Sequence, residues 1–340
     1  MLLHGRNTAF ILATMAFASA TANAALMPSY VFQGNGNWSL DAVGENTTPV
    51  GSLSALVPTG STIEQAFLYS STNFNAAAPT VNFDGTVYSG GAWTPLGQVG
   101  GAQLQAFRTD VTAQVAAKVG GGSAAPFSFS VVSESDTFSV DGEVLAIIFS
   151  NPAESMRTIA FLDGFQLQAG DTAVVNLAAP LTNAQLTDPG FEALLSLGIG
   201  FGAQGNLSQQ YSQVDVNGSR LTTSAGGEDD GFLGNGGLIT VGGIGDSPTN
   251  PANPFQTPNG DPRYDDELYT LEPFLSVGDS QIRIDTLNPS NDDLIFFAGI
   301  NITAEATVVT EIPEPSSFVL LSLGLIPVVR RRFRRTSLAI

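Results

Sequence analysis

The chain has 340 residues, with no cysteine, one histidine, and 31 acidic against 12 basic side chains. Without cysteine it has no disulfides, thiol redox chemistry or thiolate metal sites. Its formal net charge of −19 opposes binding to the phosphate backbone of nucleic acids, so we predict no nucleic-acid partner.

The N-terminal segment is typical of a secretory signal peptide. A single cation, Arg6, precedes a long uncharged run, and Ala22 and Ala24 supply the small residues that signal peptidase accepts at its cleavage site. We therefore predict a signal peptide over residues 1–24. The only histidine, His4, is removed with it, which excludes Ser-His-Asp and Cys-His catalysis in the mature chain.

The body, residues 25–310, has the composition of strands joined by turns. Two-residue hairpin turns are predicted at Asp84-Gly85 and at Asn217-Gly218, each between β-prone runs. These patterns predict a mainly β fold, an antiparallel β-sandwich of jelly-roll type with two short helices and terminal signal and anchor helices. Strands are expected at STIEQAFLYSS, FSFSVVS, EVLAIIFS, RTIAFLD, TAVVNL, QIRIDTL and DLIFFAGINITAEA.

Two segments of the body favour a short helix. In TDVTAQVAAKVGG, Asp110 is a candidate N-cap, and Val111, Val115 and Val119 follow at four-residue spacing before a Gly-Gly stop. The second segment, TDPGFEALLSLGIG, begins with Asp188 followed by proline, a pair typical of helix starts. We predict a packing helix in each.

The domain organisation depends on the Pro- and Asn-rich segment 245–267. Such a segment is either a linker between two sandwiches or a long surface loop of one. The strands expected after it are too few to form an independent core, so we predict one domain over residues 25–310 with a long loop at 245–267.

Acidic pairs are the remaining candidate site, because no catalytic residue can be singled out. Ca²⁺ takes six to eight oxygen ligands, so carboxylates brought together at one end of a sandwich would form a Ca²⁺ site. The alternative is that they cap turns and solubilise the surface. Paired carboxylates also leave open a glycosidase, which needs an acid and a base or nucleophile at a defined separation. The candidate ligands are Asp229, Asp230, Asp265, Asp266, Asp292 and Asp293.

The C-terminal segment, residues 311–340, has three parts. Pro313, Glu314 and Pro315 precede an apolar run that is shorter than the roughly 20 residues of a spanning helix. An arginine cluster follows, and the positive-inside rule would keep it in the cytoplasm. The cluster comprises Arg330, Arg331, Arg332, Arg334 and Arg335.

This arrangement resembles the PEP-CTERM sorting signal of Gram-negative bacteria, a tail that is also labelled ice-binding protein C-terminal domain. The resemblance implies export, a transient tether in the inner membrane, cleavage by exosortase, and delivery to the cell surface or the extracellular matrix. Runs of the body such as NWSLDAVG and NPSNDDLIFFAGI resemble one group of exported PEP-CTERM proteins, which implies no activity. We predict a non-enzymatic structural, adhesive or polysaccharide-associated protein, with a carboxylate-dependent glycan-active enzyme as the alternative.

Overall fold

The chain folds into antiparallel β-sheets with two short helices, which confirms the predicted mainly β sandwich. A computed structural model describes residues 25–45, 48–74, 76–99, 103–134, 139–201, 212–226, 239–246, 248, 267–289 and 293–311. The predicted terminal helices lie outside these ranges. The strands are β1 (Met27–Gly44), β2 (Val50–Ala55), β3 (Thr62–Thr72), β4 (Val81–Phe83), β5 (Thr86–Tyr88), β6 (Thr94–Val99), β7 (Leu104–Asp110), β8 (Phe127–Ser133), β9 (Val140–Ser150), β10 (Met156–Asp163), β11 (Thr172–Leu177), β12 (Ala193–Gly200), β13 (Ser212–Val216), β14 (Ser219–Ala225), β15 (Ile239–Val241), β16 (Leu268–Thr270), β17 (Gln281–Leu287), β18 (Leu294–Ile302) and β19 (Ala306–Glu311); the helices are α1 (Thr112–Val119) and α2 (Asn183–Leu186).

The largest sheet has ten strands in the order β15-β12-β18-β10-β1-β9-β3-β7-β6, with β16 also paired to β12. Strand β1 joins its two halves, because Met27–Asn35 pairs with β10 and Gly36–Gly44 pairs with β9. A five-stranded sheet has the order β14-β13-β17-β11-β19, and a four-stranded sheet has the order β2-β8-β4-β5.

Three apolar cores separate these sheets into layers. The first lies between the five-stranded sheet and the half that contains β10, β12 and β18, the second lies between the two halves, and the third lies between the half that contains β3 and β9 and the four-stranded sheet. In β9, Val144 and Ile148 contribute to the second core, whereas Leu145 and Ile147 contribute to the third. Strands buried on both faces read as continuous apolar runs, which explains EVLAIIFS and DLIFFAGI.

Both predicted hairpin turns are confirmed. Asp84 and Gly85 join β4 to β5 with φ of 48° and 87°, and Asn217 and Gly218 join β13 to β14 with φ of 49° and 78°. Positive φ at both central residues is the requirement of the tight turn that matches strand twist.

The first predicted helix is confirmed as α1. Val115 and Val119 are buried against the third core. The N-cap residue is Val111 and not the predicted Asp110, whose Oδ1 accepts a hydrogen bond of 2.8 Å from the backbone N–H of Thr112. Lys118 in the last turn lies 2.6 Å from a carboxylate oxygen of Asp84. The packing of the valines therefore joins α1 to the sheet, as their four-residue spacing predicts.

The second predicted helix is wrong. Residues Ala193–Gly200 form β12, which lies between β18 and β15 in the ten-stranded sheet. The helix α2 lies upstream, and it begins after Thr182, whose hydroxyl accepts a hydrogen bond from the Gln185 N–H. A strand buried on both faces and a buried helix give the same short apolar run, so its periodicity could not separate them.

Strands after the predicted loop pair with strands that precede it. Strand β16 pairs with β12, β17 lies between β13 and β11, and β18 lies between β12 and β10. Most of the segment 245–267 is outside the described residues. These pairings put both sides of that segment into the same sheets, which is the arrangement that a one-domain body requires.

Within the described ranges, no helix is long and apolar enough to cross a bilayer. The apolar run before the arginine cluster lies outside those ranges.

Candidate functional site

Buried polar side chains are concentrated at one end of the ten-stranded sheet, where β1, β3 and β12 end and β9 and β18 begin. We call this region the acidic end. Its five carboxyl side chains have relative exposed areas of 0 %, so they lie within the fold and not on its surface. The acidic end comprises Glu45, Ser70, Ser71, Asn73, Phe74, Asp141, Glu143, Phe201, Glu267 and Asp293.

Asp141 joins the two halves of the ten-stranded sheet. Its carboxylate accepts hydrogen bonds from Ser71 Oγ at 2.5 Å, Asn73 Nδ2 at 2.8 Å and the backbone N–H of Phe201 at 3.1 Å. Ser71 lies in β3 and Asn73 directly follows it in one half, and Phe201 follows β12 in the other. A Cβ on Gly200 would lie 2.2 Å from Ser71 Oγ, so glycine permits this close approach. The Asp141 carboxylate therefore fixes both strand ends.

Glu45 and Glu143 form a buried carboxyl pair beside Asp141. Burial raises the pKa of Glu45 to about 7, and burial together with repulsion from Glu45 raises the pKa of Glu143 well above its usual range. Ser70 Oγ donates to Glu143 Oε1 at 3.1 Å. Two buried carboxyls in contact cannot both ionise without a counter-charge, so the pair retains a proton near neutral pH.

The described basic residues are all engaged elsewhere. Each one makes an ion pair with a carboxylate outside the acidic end, so within the described chain no cation neutralises Glu45 and Glu143. The pairs are Arg108 with Asp163, Lys118 with Asp84, Arg157 with Glu192, Arg220 with Asp215, and Arg283 with both Asp285 and Glu311.

Two phenylalanines, Phe74 and Phe201, lie next to this hydrogen-bond network and have strained backbone conformations. Phe74 has φ of 55° and Phe201 has φ of 65°, a region that is unusual for bulky residues. Their rings meet edge to face with centroids 6.5 Å apart, and the Phe74 side chain is 56 % exposed. Asn73 precedes Phe74, so the hydrogen bonds to Asp141 hold both aromatic residues in place. We call these two rings the aromatic pair.

A second group of acids lies beside the first. The Gly226 N–H donates to Glu267 Oε1 at 2.6 Å, and the Tyr269 hydroxyl donates to Glu267 Oε2 at 3.1 Å. A Cβ on Gly226 would lie 2.9 Å from the Cβ of Asp293. Both acidic residues have positive φ, 22° for Glu267 and 49° for Asp293. Among described non-glycine residues, positive φ therefore occurs at the acidic end or in the two hairpin turns.

Most of the predicted site residues lie outside the described chain. Of the six candidate Ca²⁺ ligands the structure describes only Asp293, which it places in the acidic end. In the described ranges, no three His, Cys, Asp or Glu side chains are grouped so that they could hold a metal ion. The residues that lie outside these ranges are Asp229, Asp230, Asp265, Asp266, Asp292, the cleavage residues Ala22 and Ala24, the motif Pro313, Glu314 and Pro315, and Arg330, Arg331 and Arg332.

The sequence interpretation missed Glu45, Asp141 and Glu143, which are isolated acids rather than pairs. Asp141 and Glu143 begin the run VDGEVLAIIFS, which is otherwise apolar apart from its small residues. Burying a carboxyl group costs folding free energy unless the group is hydrogen-bonded. Two acids at the start of an otherwise apolar strand therefore indicate a buried polar network.

No family model matches this chain. No curated protein sequence matches it either. A solved peptide-N(4)-(N-acetyl-β-D-glucosaminyl) asparagine amidase is 11% identical over 83% of this chain and 100% of its own, with a TM-score of 0.23. PNGF-II is 10% identical over 84% of this chain and 66% of its own, with a TM-score of 0.24. The major capsid protein P2 of bacteriophage PM2 is 11% identical over 84% of this chain and 99% of its own, with a TM-score of 0.17. These scores are too low to support a functional inference.

Proposed function

We propose that this chain is an exported, non-enzymatic module of the cell surface or extracellular matrix that contacts polysaccharide. The signal peptide and the PEP-CTERM-like tail support export, transient inner-membrane tethering and processing by signal peptidase and exosortase. The loss of the only histidine, the absence of cysteine and the lack of a catalytic acid pair that the sequence alone distinguishes support a non-enzymatic role.

The aromatic pair is the observation that carries the polysaccharide contact. Left-handed backbone costs about 1–3 kcal/mol at each such residue, and residues held this way cluster at functional sites. Exposing about half of Phe74, 56 % of the residue, adds an unfavourable contact with water and contributes little to a core. An exposed ring that is held in place by buried hydrogen bonds is a suitable surface for the apolar face of a sugar.

Expression of the tagged full chain in a Gram-negative host tests this proposal. We expect the protein in the surface or matrix fraction, with an intact mass that corresponds to a start near Ala25 and an end near Pro313. Phe74→Ala should move the protein into the medium, because the sugar contact is lost. Val277→Ala, which removes another exposed apolar side chain, should not.

Two results would contradict the proposal. The first is retention of all the protein in the cytoplasm. The second is a matrix fraction that is unchanged by Phe74→Ala. An extracellular chain that still carries Arg330, Arg331 and Arg332 would show that the tail is not processed.

Ca²⁺ is the cofactor that we propose for the six predicted ligands, of which the described ranges contain only Asp293. Chain connectivity supports it, since the contacting residues Gly226, Glu267 and Asp293 each lie within four positions of predicted ligands. A ligand that binds only the folded state at a hundredfold excess over Kd stabilises it by about 2.7 kcal/mol. We therefore expect Ca²⁺ to raise the melting temperature above that in EDTA, and Asp293→Asn to reduce the rise.

Sodium chloride at matched ionic strength and Glu305→Gln are the controls for this melt, since Glu305 is an exposed acid. Equal midpoints in EDTA, Ca²⁺ and sodium chloride would leave the acids as turn and surface residues.

A carboxylate-dependent glycan-active enzyme is the second candidate, and one observation favours it. Glu45 and Glu143 have raised pKa values and adjacent carboxyls, a combination that occurs in acid–base catalysis. Both side chains are buried, so a substrate would reach them only after the acidic end opens. New reducing ends in a polysaccharide incubated with the chain, lost in Glu143→Gln, would favour this candidate.

A further inference from the structure

We propose that the α-ammonium group created when signal peptidase cuts before Ala25 binds in a cavity between two layers, where it pairs with the carboxylate of Asp171. This inference rests on the processing that the proposed function includes. Leu26, Asp171 and Thr310 line the same cavity, and this juxtaposition carries the inference.

The cavity lies in the first core, between the five-stranded sheet and the half of the ten-stranded sheet that contains β10, β12 and β18. Its wall is mostly apolar, with Leu162 and Leu197 from one layer and Ile284 from the other. About 20 Å³ is open to the centre of a water-sized group, which is room for one such group. An ammonium group is of that size.

Two polar side chains in this wall have an oxygen that lacks a partner. Asp171 has a relative exposed area of 5 %, and its Oδ2 accepts a hydrogen bond of 3.1 Å from the Leu167 N–H. Among the described residues, neither Asp171 Oδ1 nor Thr310 Oγ1 has a hydrogen-bond partner, although both atoms are buried. A carboxylate oxygen can only accept, so the group that satisfies Asp171 must be a donor. A carboxylate in an apolar layer favours a donor that is also a cation.

None of the described basic side chains supplies that cation. Arg283, on the same five-stranded sheet, pairs with Asp285 and Glu311, and the other described basic side chains pair with carboxylates elsewhere. Burial accordingly raises the pKa of Asp171 to about 6.

The predicted mature chain begins beside this cavity. Leu26 lines it, and Ala25 is buried with a relative exposed area of 9 %. One residue of chain spans at most about 3.6 Å, so the Ala25 nitrogen lies close to the wall that Leu26 forms. When signal peptidase cuts the bond between Ala24 and Ala25, water adds across it. The released peptide then ends in a carboxylate, and the body begins with an ammonium.

The chemistry of that ammonium fits the cavity. It is a cation with three N–H donors, so one can be donated to Asp171 Oδ1 and a second to Thr310 Oγ1. The precursor has an uncharged amide at the same position. Cleavage therefore adds the ion pair to the processed chain alone and stabilises the packing of the two layers.

Selective acylation of amines tests the pair. Lys118 is the only lysine of the chain, so the processed protein has one α-amine to follow and one side-chain amine as an internal reference. The reagent attacks unprotonated amines, and an opposite charge raises the pKa of an amine by about one unit or more. At pH 7 we expect the α-amine of the purified exported chain, relative to Lys118, to react at least about tenfold more slowly than in Asp171→Asn, as read by peptide mass spectrometry. Asp41→Asn removes another carboxyl whose pKa is raised to about 6, and it should react as the wild type does.

A second measurement moves the ammonium without changing the mature body. Two glycines inserted between Ala24 and Ala25 displace the new terminus by up to about 7 Å. We expect the insertion to lower the melting temperature by on the order of 5 °C, because a buried carboxylate loses its counter-charge. In Asp171→Asn the same insertion should have no effect, which separates the ion pair from other effects of the glycines.

Intact mass identifies the terminus before either measurement. A purified chain that retains residues 1–24 overturns both the proposed processing and this inference. A terminus at Ala25 that reacts equally fast in the wild type and in Asp171→Asn overturns the ion pair alone and leaves export standing. A glycine insertion that lowers the melting temperature equally with and without Asp171→Asn also overturns the ion pair.

Discussion

Raising the pH from 5 to 8 is expected to destabilise the chain by more than it destabilises a Glu45→Gln variant. The folded-state pKa of Glu45 is raised from 4.5 to about 7, so the folded chain binds more protons than the unfolded chain in this range. The stabilisation that comes from protonated Glu45 is fully present below pH 4.5, and it is lost as the pH rises through the folded-state pKa of about 7. The expected difference between wild type and variant is on the order of 2–3 kcal/mol, with Glu143 extending it to higher pH.

Denaturant melts of both proteins at pH 5, 6, 7 and 8 provide the measurement. The difference between the two proteins is informative because Asp41 and Asp171 also have pKa values raised to about 6 by burial, and their contribution cancels. Glu305→Gln, at an exposed position, should follow the wild type at every pH. A variant whose stability declines with pH as steeply as the wild type would show that Glu45 and Glu143 do not share a proton.

Arg108→Met is expected to cost about 3 kcal/mol, because it leaves the buried carboxylate of Asp163 without its counter-charge. Arg108 lies on β7 and pairs with Asp163 at the end of β10, so the ion pair joins the two halves of the ten-stranded sheet. The Tyr69 hydroxyl also donates to Asp163 at 3.1 Å, and the guanidinium lies 4.5 Å above the Phe67 ring. Burial already raises the pKa of Asp163, and removal of Arg108 should raise it further.

A double-mutant cycle measures this coupling. Arg108→Met combined with Asp163→Asn should recover much of the loss, because the amide needs no counter-charge and still accepts from Tyr69. Chemical denaturation of the four proteins gives the free energies of unfolding. A single-variant cost below about 1 kcal/mol would identify the pair as a solvent-screened contact of little consequence.

Local features of the fold were predictable from sequence, because they depend on neighbouring residues. Asp84-Gly85 and Asn217-Gly218 specify their turns through residues that tolerate positive φ, and the valine spacing of α1 specifies its buried face. The four layers, which are the five-stranded sheet, the two halves of the ten-stranded sheet and the four-stranded sheet, depend on which face of each strand packs against another layer. A strand that is buried on both faces, such as β12, lacks the alternation of apolar and polar residues that would identify its buried face.

The acidic end was less accessible to sequence reasoning for a related reason. Glu45 and Glu143 are 98 positions apart in the numbering and become neighbours only because β1 pairs with β9. Adjacent acids such as Asp265 and Asp266 attract attention in a sequence, whereas isolated ones do not. The strain at Phe74 and Phe201 has no sequence signature, because a phenylalanine in a left-handed conformation looks like any other.

The central position of β1 has a consequence for how this protein reaches its folded state. Although β1 is the first strand of the chain, Ser29 Oγ donates to the Phe161 carbonyl across 132 residues, and the Gln33 amide donates to the Ala306 carbonyl across 273. Contacts of such sequence separation form slowly, because a long loop must close before they stabilise anything. If the chain is exported as we propose, β1 stays unpaired until its partners β9 and β10, which lie near the middle of the body, have crossed the membrane, and its contact with Ala306 forms later still. A chain that cannot fold early remains unfolded enough to pass through an export channel. The membrane tether that we propose for the C-terminal segment would then hold strands β18 and β19 close to the membrane while the sheet forms.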